Sequence, residues 1–554
     1  MEKTCLLICF YLLVSVVASA SPYPEPGPTG YQAYLPEPIE PEFPPQPAET
    51  FVVPAPVPGA QVAPDIFNHL SGVLFYGHLI DWGGLSINPQ SLPEQMIPNT
   101  AQISPALSIS SSYNMTSDSN QDIEPSVMAH NSNGTVYKST TYIKILSDGV
   151  TPRIYYSTTP DFYTFQRGQL ALPSGYQYTA DPLMSKNAFN GGIAPGRIYT
   201  TGLIYNPGSG QSYGIPNGIA VWSSNDGGRS WLQATIIISD TSDRTSTFDK
   251  PAVDVSWNSG SLGYVYAAYI YVYGGTNPAT TYIGVSRSTD GGVTFPQTTV
   301  PFSTSDKING VQVLVDYYSG YVYVLWTDFS NNTIYMSTSR DMGTTWSAPE
   351  SVASGKMVNP NYFGYQEYGF LKCSGSNNGV RAASVTMARF NWAANKISVV
   401  WHEWKQGSPS NCNSLPPGSS GCTTEVYYAA KSPSGWQGKV KISDALTNDQ
   451  FMPALDFDST GNLTVTFYDR RDDANNIKYY PYIARIDSTG RLRQANMRAS
   501  TFQSDPTKYT QYPCFIGDYH DIWDQTISNV DNYFSAWVGI PASIGDIYLS
   551  TIVP

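Results

Sequence analysis

The chain has 554 residues, of which 13% are charged and 13% aromatic, and its formal net charge is −13. The charged fraction is about half the roughly 25% of an average soluble domain, which excludes a helical bundle or coiled coil. Few basic residues disfavour nucleic-acid binding, because the phosphate backbone requires positive charge. Wholesale disorder is excluded by a hydrophobic content of 41%. With 41 Tyr, 46 Gly and 42 Pro, the composition favours a turn-rich β protein.

The chain begins with the features of a secretion signal. Lys3 precedes an almost wholly apolar run over residues 5–18, and Ala18-Ser19-Ala20 fits the small-residue rule for cleavage. The run is short for a membrane-spanning helix, although an uncleaved anchor is the alternative. We predict that residues 1–20 are a signal peptide, that the mature protein is secreted and extracellular, and that it has no membrane span.

A proline-rich stretch follows the predicted signal. Residues 21–64 hold 14 prolines, five glutamates and no lysine or arginine. Such a composition cannot bury a core and favours extended polyproline II. We predict a disordered stalk over residues 21–64 and one folded domain over residues 65–554.

One unit recurs along the predicted domain. It consists of an apolar strand, a Gly or Asn turn, a strand ending near an aromatic, a loop, and a third strand running into a Ser/Asp/Gly turn. Seven units start near Glu124, Asp181, Asp249, Asp306, Arg381, Gln450 and Phe515. Alternating β-branched and aromatic strands at this period predict an all-β fold, a β-propeller of seven blades.

The last unit lacks an obvious fourth strand. The segment 70–80 is a candidate to supply it and close the ring, which would remove open sheet edges. Six blades plus an N-terminal sheet is the alternative.

Three turns share the pattern S-x-D-x-G-x-[ST]-[WF], namely Ser224–Trp231, Ser288–Phe295 and Ser339–Trp346. The Asp carboxylate can accept bonds from N–H groups of its own turn, and the Gly permits positive φ. The pattern resembles the Asp-box (BNR) repeat of the sialidase-like superfamily. The resemblance implies a propeller whose Asp boxes are structural and lie opposite the active site, which assigns Asp226, Asp290 and Asp341 to the fold. Each turn has too few carboxylates for the alternative, a calcium site.

Two further segments, TFYDRRDDANN (466–476) and FIGDYHDIW (515–523), are similar to those of secreted bacterial sialidase-like proteins of poorly defined function. The F/Y-R-I-P motif of sialidases, which carries the first Arg of their carboxylate-binding triad, is missing. Pro152-Arg153-Ile154 is only a fragment of it in a third strand. The departure weakens a prediction of sialic-acid cleavage.

Ligands of propellers bind at the mouth, where inner strands begin and second strands end. Glycoside hydrolysis uses a pair of carboxyl groups, and sialidase-like enzymes use a Tyr nucleophile with an Arg cluster. The predicted catalytic residues are Asp518, Tyr519 and Asp469, and the predicted substrate-binding residues are Arg244, Arg381, Arg470, Asp249, Asp306, His402 and Glu403. The alternative interpretation is that these charges form ion pairs that tie blades together.

Four cysteines remain after the predicted signal: Cys373, Cys412, Cys422 and Cys514. An even number in a secreted chain predicts two disulfides. Cys412 and Cys422 flank a short Pro/Gly/Ser loop, which favours their pairing and leaves Cys373 with Cys514, although four cysteines permit three pairings. No ligand spacing supports zinc, so we expect no metal.

Four N-x-[ST] sequons, at Asn114, Asn133, Asn331 and Asn462, are candidate glycosylation sites in a eukaryotic secretory pathway.

The sequence predicts a secreted, monomeric, sialidase-like propeller that acts on an extracellular glycan or related polymer, as a hydrolase. A non-catalytic glycan-binding, adhesion or matrix propeller is one alternative. Hydrolysis of a non-sugar anionic polymer is another, because fold does not determine chemistry. No nucleotide-binding motif is present, so no cofactor is expected.

Overall fold

A computed structural model describes much of the chain between residues 46 and 553, all of it within the unit Pro45–Pro554. The described residues are 46–47, 49–50, 95–96, 108–132, 135–146, 151–185, 197–206, 216–240, 246–256, 263–273, 280–316, 318–359, 371–373, 379–509, 514–527 and 530–553.

Seven antiparallel sheets form seven blades, each running from an inner strand to an outer strand, as predicted. The strands, from inner to outer, are Gln121–Ser132, Thr135–Ile145, Pro152–Thr159 and Gln166–Gln169 in blade 1; Tyr178–Met184, Ile198–Tyr205, Pro216–Ser224 and Thr235–Ser239 in blade 2; and Thr247–Ser256, Tyr264–Tyr273, Thr280–Ser288 and Gln297–Thr304 in blade 3. They are Ile308–Asp316, Tyr321–Asp328, Thr333–Ser339 and Glu350–Ser354 in blade 4, and Met387–Asn391, Lys396–Trp404, Thr424–Ser432 and Val440–Lys441 in blade 5. They are Gln450–Phe457, Leu463–Asp469, Tyr480–Ile486 and Met497–Arg498 in blade 6, and Asp521–Ile527, Val530–Gly539, Asp546–Val553 and Ser108–Asn114 in blade 7.

Several two-residue strands and two 3₁₀ turns lie outside the four main strands of each blade. Glu49–Thr50 pairs antiparallel with the outer strand of blade 3, and Gln95–Met96 pairs parallel with that of blade 5. The other two-residue strands are Gln46–Pro47, Thr345–Trp346, Leu371–Lys372, Gly379–Val380 and Gly435–Trp436, and two 3₁₀ turns span Cys412–Ser414 and Pro506–Lys508.

The inner strands form a closed ring. Each inner strand contacts that of the next blade, and the inner strand of blade 7 contacts that of blade 1. The alternative of six blades plus a separate sheet is therefore wrong.

An N-terminal strand completes blade 7. Ser108–Asn114 pairs antiparallel with Asp546–Val553, with Asn114 opposite Tyr548. The prediction that segment 70–80 supplies this strand is wrong, because residues 108–114 take its place in the sheet. Closure of this kind gives the last blade four strands and joins an N-terminal and a C-terminal segment in one sheet.

Blade strands are buried on both faces because each blade packs between two others. In the second strand of blade 3, Tyr264–Tyr273, all residues but the first are buried. Such strands give near-continuous apolar runs instead of strict alternation. Trp222, Trp326, Trp401 and Trp537 are wholly buried in this way, and each large apolar side chain contributes about 1.5–3 kcal/mol through its burial.

The three repeated turns link third to fourth strands and share one set of hydrogen bonds. In the second of them, the Ser288 hydroxyl donates to Asp290 Oδ1 at 2.7 Å and accepts from Gly292 N at 2.8 Å. Asp290 Oδ2 accepts from the Thr294 hydroxyl at 2.6 Å. The equivalent bonds of Asp226 and Asp341 have the same partners by position. Each carboxylate is thus bound within its own turn.

We expect Asp290→Ala to lower the free energy of unfolding by about 1 kcal/mol at pH 7, because the turn loses its hydrogen bonds. Burial opposes ionisation, but bonds from Thr294 and Ser288 hold the pKa of Asp290 below its usual value. Because the pKa is lower in the folded state, the ionised carboxylate stabilises the fold at pH values above its unfolded pKa of about 3.9. This stabilisation is lost as the pH falls through the folded-state pKa. Urea unfolding of both proteins at pH 7 and pH 2.5 tests this. An equal loss of unfolding free energy at pH 7 and at pH 2.5 would contradict this prediction.

Two disulfides, Cys373–Cys514 and Cys412–Cys422, confirm the predicted pairing. Their sequence separations are 141 and 10 residues.

The longer disulfide should stabilise the fold more. In the chain-entropy model the cost of losing a disulfide grows with the loop it closes. We compare a variant in which Cys373 and Cys514 are both serine with one in which Cys412 and Cys422 are both serine. We expect the free energy of unfolding of the first variant to be about 2 kcal/mol lower than that of the second. Chemical denaturation of the two variants measures the difference. Equal stabilities would mean that native-state effects outweigh loop entropy.

Candidate functional site

The inner strands of five blades share a bulge near their first residues. In blades 1, 2, 3, 4 and 6 the register with the second strand shifts there. Each bulge contains one residue with positive φ, and these are Glu124 (53°), Asp181 (54°), Lys250 (42°), Gly310 (69°) and Met452 (49°). A β-bulge re-aims a side chain, and bulges are common beside active sites.

Four of these residues precede a proline: Glu124, Asp181, Lys250 and Met452. A non-glycine residue at positive φ is uncommon, and such conformations cost about 1–3 kcal/mol each. Strain of this kind concentrates at functional sites. Its repetition at one end of the ring therefore marks that end as the candidate site.

Three of the bulge side chains meet two other charged residues in what we call the axial cluster, Glu124, Asp181, Lys250, Arg381 and Asp518. Lys250 Nζ lies 2.9 Å from Asp181 Oδ2 and 2.8 Å from Asp518 Oδ2. Glu124 Oε1 lies 3.8 Å from the same nitrogen. The five residues come from blades 1, 2 and 3 and from the segments that lead into blades 5 and 7, so they meet at the centre of the ring.

Arg381 holds Asp518 through both carboxylate oxygens. Its Nε donates to Oδ1 at 2.6 Å and its Nη2 donates to Oδ2 at 2.8 Å. The centre of the Phe515 ring lies 4.7 Å from the guanidinium carbon of Arg381. The Asp518 amide also donates to Glu124 Oε1 at 3.0 Å. Charge-assisted bidentate pairs are the strongest hydrogen bonds of this class.

The carboxyl groups of the axial cluster have opposite pKa shifts. Burial and the neighbouring Asp181 raise the pKa of Glu124 well above its usual value. Burial also opposes ionisation of Asp518, but Arg381 and Lys250 lower its pKa below the usual value. The surroundings therefore favour the protonated form of Glu124 and the ionised form of Asp518. Environments that separate two carboxyl pKa values in this way are typical of an acid and its partner base.

A small cavity adjoins the axial cluster. It is lined by Asp181, Lys250, Gly310 and Tyr519, among others, with about 10 Å³ of space for water centres. That is about what one water molecule needs. Among the described residues, Glu124 Oε2 and Asp181 Oδ1 are buried without a hydrogen-bond partner.

The structure brings four of the predicted site residues to this region: Asp518, Arg381, Tyr519 and Asp249. The Tyr519 hydroxyl donates to Pro182 O at 2.9 Å, and burial raises its pKa well above 10.0, so the phenol stays neutral. Asp249 accepts from the Lys250 amide at 2.9 Å and from Asn309 Nδ2 at 3.0 Å.

Two other predicted residues lie within blade 6 and form local ion pairs. Arg471 Nη2 donates to Asp469 Oδ2 at 2.6 Å, and the Arg471 amide donates to Oδ1 at 2.7 Å. Arg470 is wholly buried, with Nη1 3.1 Å from Asp449 Oδ2. These contacts are ion pairs, as in the alternative interpretation, but they lie within one blade and do not tie blades together.

The hydrogen bonds given by His402, Glu403 and Asp306 go to residues outside the axial cluster. His402 Nε2 donates to Ala382 O at 2.9 Å, because its Nδ1 accepts from the Met452 amide. Glu403 Oε1 accepts from Lys439 Nζ at 2.6 Å. Asp306 is half-buried and accepts from Asn331 Nδ2 at 3.3 Å. Arg244 lies outside the described residues.

Acid should destabilise the protein between about pH 6.5 and pH 4 through its buried histidines. Burial lowers the pKa of both His402 and His520 to about 4. Each stays neutral in the fold but takes up a proton when unfolded, so stability rises with pH by about 1.4 kcal/mol per unit for each histidine in this window. We expect His520→Gln to reduce this slope in urea titrations. An unchanged slope would show that other groups control acid unfolding.

Three residues of the axial cluster, Glu124, Asp181 and Lys250, lie at starts of inner strands but were not among the predicted catalytic and substrate-binding residues. The available signal was the recurrence of a charged residue before proline at the starts of inner strands, as in Glu124-Pro125, Asp181-Pro182 and Lys250-Pro251.

The described residues contain no group of three His, Cys, Asp or Glu side chains arranged to hold a metal ion. In the described part of the chain, no helix is long and apolar enough to cross a membrane. The amide nitrogens of the sequons at Asn114, Asn331 and Asn462 donate to Asp546, Asp328 and Asp458 respectively. Asn133 lies outside the described residues.

No family model and no curated protein matches this chain. Solved structures do. A protein of unknown function from Dyadobacter fermentans is 11% identical, with 81% of this chain and 99% of that chain covered and a TM-score of 0.41. The α-L-arabinofuranosidase of Fusarium graminearum with arabinobiose is 15% identical, with 69% of this chain and 95% of that chain covered and a TM-score of 0.37.

The sialidase of Trypanosoma rangeli is 10% identical, with 81% of this chain covered and a TM-score of 0.39. The match spans 60% of the length of that sialidase. All three are similarities at low identity, and the propeller architecture of this chain is established by its own sheet topology.

Proposed function

We propose that this chain is a secreted propeller that acts on an extracellular glycan, and that it hydrolyses a glycosidic bond at the axial cluster. The observation that carries the proposal is the gathering of Glu124, Asp181 and Asp518 around the Lys250 ammonium, at the end of the ring where the inner strands share their bulges.

Two carboxyl groups of the axial cluster are the candidates for the pair that glycoside hydrolysis uses. Glu124 Oε1 and Asp518 Oδ2 lie 3.8 Å and 2.8 Å from Lys250 Nζ. The two oxygens are therefore no farther apart than the sum of these distances. In this proposal Glu124 protonates the leaving oxygen as the glycosidic bond breaks, and ionised Asp518 stabilises the positive charge that develops on the sugar. A water molecule then adds to the anomeric carbon and gives its proton to Glu124, which restores the acid.

Extracellular location is part of the same proposal. Two disulfides, one of them joining residues 141 apart, are typical of proteins in oxidising compartments. They accord with a signal peptide over residues 1–20. The stalk over residues 21–64 and the domain boundary at residue 65 stay predictions.

A second candidate is glycan binding without hydrolysis. It is favoured by the burial of Asp518, which is 1% exposed and bound by Arg381 through both oxygens. A carboxylate whose two oxygens are both hydrogen-bonded also suits a structural role, in which Asp518 stabilises the conformation of the mouth for glycan binding.

A polysaccharide screen of the purified full-length protein separates the candidates. Reducing ends report hydrolysis, and binding is measured on the same polymers. We expect Asp518→Asn to lower hydrolysis at least about 100-fold. A matched control is Asp449→Asn, which alters a buried, arginine-paired aspartate within blade 6 and should retain activity in protein that is folded by circular dichroism.

Each result decides between the candidates. Binding without hydrolysis would support the second candidate. Neither binding nor hydrolysis on any polymer would contradict both, and equal losses in the two variants would contradict a catalytic role for Asp518.

A further inference from the structure

We propose that Lys250 and Asp181 condense spontaneously into an amide, so that a covalent bond between their side chains joins the inner strands of blades 2 and 3. The proposal goes beyond the proposed function and does not depend on it.

The two reacting groups are already in contact. Lys250 Nζ donates to Asp181 Oδ2 at 2.9 Å, although the two residues are 69 positions apart in the chain. Each lies in a bulge at positive φ, 42° for Lys250 and 54° for Asp181. Groups that are held about 3–3.5 Å apart in a fixed geometry react at effective concentrations far above those of free molecules. The fold therefore supplies the proximity that condensation of an amine with a carboxyl group needs.

Burial favours the uncharged product. The Lys250 and Asp181 side chains are 5% and 1% exposed. Two charges lose most of their hydration at this depth, and their mutual attraction offsets only part of that cost. An amide carries no charge, so condensation relieves the cost. The adjoining cavity, which both residues line, has about 10 Å³ of space for water centres, and this is enough for the one water molecule that condensation releases.

Glu124 is placed to act as the acid. Its Oε1 lies 3.8 Å from Lys250 Nζ, the same nitrogen that Asp181 binds, and burial raises the pKa of Glu124 well above its usual value, which favours the carboxylic acid. Glu124 Oε2 and Asp181 Oδ1 are both buried without a hydrogen-bond partner among the described residues. A proton on Glu124 is therefore close to a carboxyl group that it can activate for attack.

The nitrogen must lose a proton before it attacks. Burial opposes the charge of Lys250, but the surrounding carboxylates raise its pKa, so the amine is the minor form and the reaction is slow. The hydrogen bond between the two side chains gives the proton a direct route to Asp181, whose pKa burial also raises. The transfer leaves an amine and a carboxylic acid in contact, and both are neutral.

The step balances without another reagent. The Lys250 amine attacks Cγ of Asp181 as a nucleophile, and the N–C bond forms. Glu124 gives its proton to an Asp181 oxygen and takes one from Nζ, so it ends protonated as it began. One C–O bond of Asp181 then breaks. In total, one carboxylate oxygen and two of the three ammonium protons leave as water.

The rest of the axial cluster keeps its charge pairing after the reaction. The ion pair between Lys250 and Asp181 is the state before condensation, and the amide removes one cation and one carboxylate together. Arg381 still binds Asp518 through two nitrogens. The link closes a loop of 69 residues, and unlike the two disulfides it would resist reductants.

The mass of the purified full-length protein tests the proposal. With the chain denatured and its disulfides reduced, the wild-type protein should be lighter, by one water molecule, than the mass calculated from its sequence and its measured N-terminus. Tryptic digestion should yield a branched peptide that joins the segments containing Asp181 and Lys250. The branched peptide distinguishes the link from cyclisation of a single aspartate, which loses the same mass.

Three variants assign the atoms. Lys250→Arg keeps a positive charge but has no amine, and it should have the full mass. Glu124→Gln lacks the acid, and its linked fraction directly after purification should be at least about tenfold lower. Lys431→Met is the control, because this lysine pairs with Glu350 at the surface, and it should lack one water as the wild type does. Denatured samples are weighed, so a variant of low stability still gives a result.

The outcomes are independent of any activity. Wild-type protein of full mass without the branched peptide, after prolonged storage in a form that is folded by circular dichroism, would overturn the proposal. A link that forms as fast in Glu124→Gln would overturn the role of Glu124 as its acid. A linked protein that neither binds nor hydrolyses a glycan would contradict only the proposed function, and an active protein of full mass would contradict only the link.

Discussion

Lys250→Met should lower the free energy of unfolding by about 3–5 kcal/mol, the usual cost of removing one partner from a buried ion pair. The side chain is 5% exposed, and its ammonium contacts Asp181 and Asp518 within 2.9 Å. Methionine fills similar volume but leaves three carboxyl groups close together without that charge. Burial opposes the charge of Lys250, but neighbouring carboxylates raise its pKa well above the usual value, so the wild-type ammonium is charged at neutral pH. Urea unfolding measures the loss.

Two comparisons identify the cause. Lys431→Met removes a lysine that pairs with Glu350 at the surface, where each side chain is at least 27% exposed, and should cost less than about 1 kcal/mol. Adding Asp181→Asn to Lys250→Met should restore part of the stability, because a neutral amide needs no counter-charge. A Lys250→Met protein as stable as the surface variant would show that the axial cluster does not depend on this ammonium.

Glu124→Gln should lower hydrolysis by about 10²–10⁴-fold, the usual contribution of a general acid. Glutamine has the shape of the protonated Glu124 and no charge, so the fold should be retained. The raised pKa of Glu124 means that the active enzyme loses its proton, and its rate, as pH rises through that value. The lowered pKa of Asp518 means that the rate also falls in acid, as that carboxylate becomes protonated. A bell-shaped dependence of kcat/KM on pH is therefore expected.

The Glu124→Gln variant should lose the alkaline limb of that profile, since a glutamine amide does not titrate. Thermal unfolding of Glu124→Gln controls for stability. Full activity in the variant, or an alkaline limb that persists in it, would assign the acid to another group.

The strand-and-turn pattern was sufficient to predict seven blades, because each unit carries its own alternation and its own turn residues. Closure was not predictable in the same way. Ser108–Asn114 reads SISSSYN, a weakly apolar strand, and its partner Asp546–Val553 lies at the opposite end of the chain. Sequence distance gives no indication of which N-terminal segment meets the last blade.

The residues of the candidate site were also predicted only in part. Asp518, Tyr519 and Arg381 were predicted from their places at the starts of blades, and they do meet near the axis. Asp469 and Arg470 had equally good places in the sequence but pair within blade 6. Position along a blade is local information, whereas the partner that a side chain finds depends on neighbouring blades.

What the sequence alone determined is what each unit encodes locally: strands, turns, blade number and the cysteines that pair. Only the tertiary structure decided which scarce charges share a site. The ring brings Glu124, Asp181 and Lys250 from three blades into contact with Asp518, which follows Glu124 by 394 residues. Burial and mutual charge then set their opposite pKa shifts, and both arise from three-dimensional packing that no local pattern records.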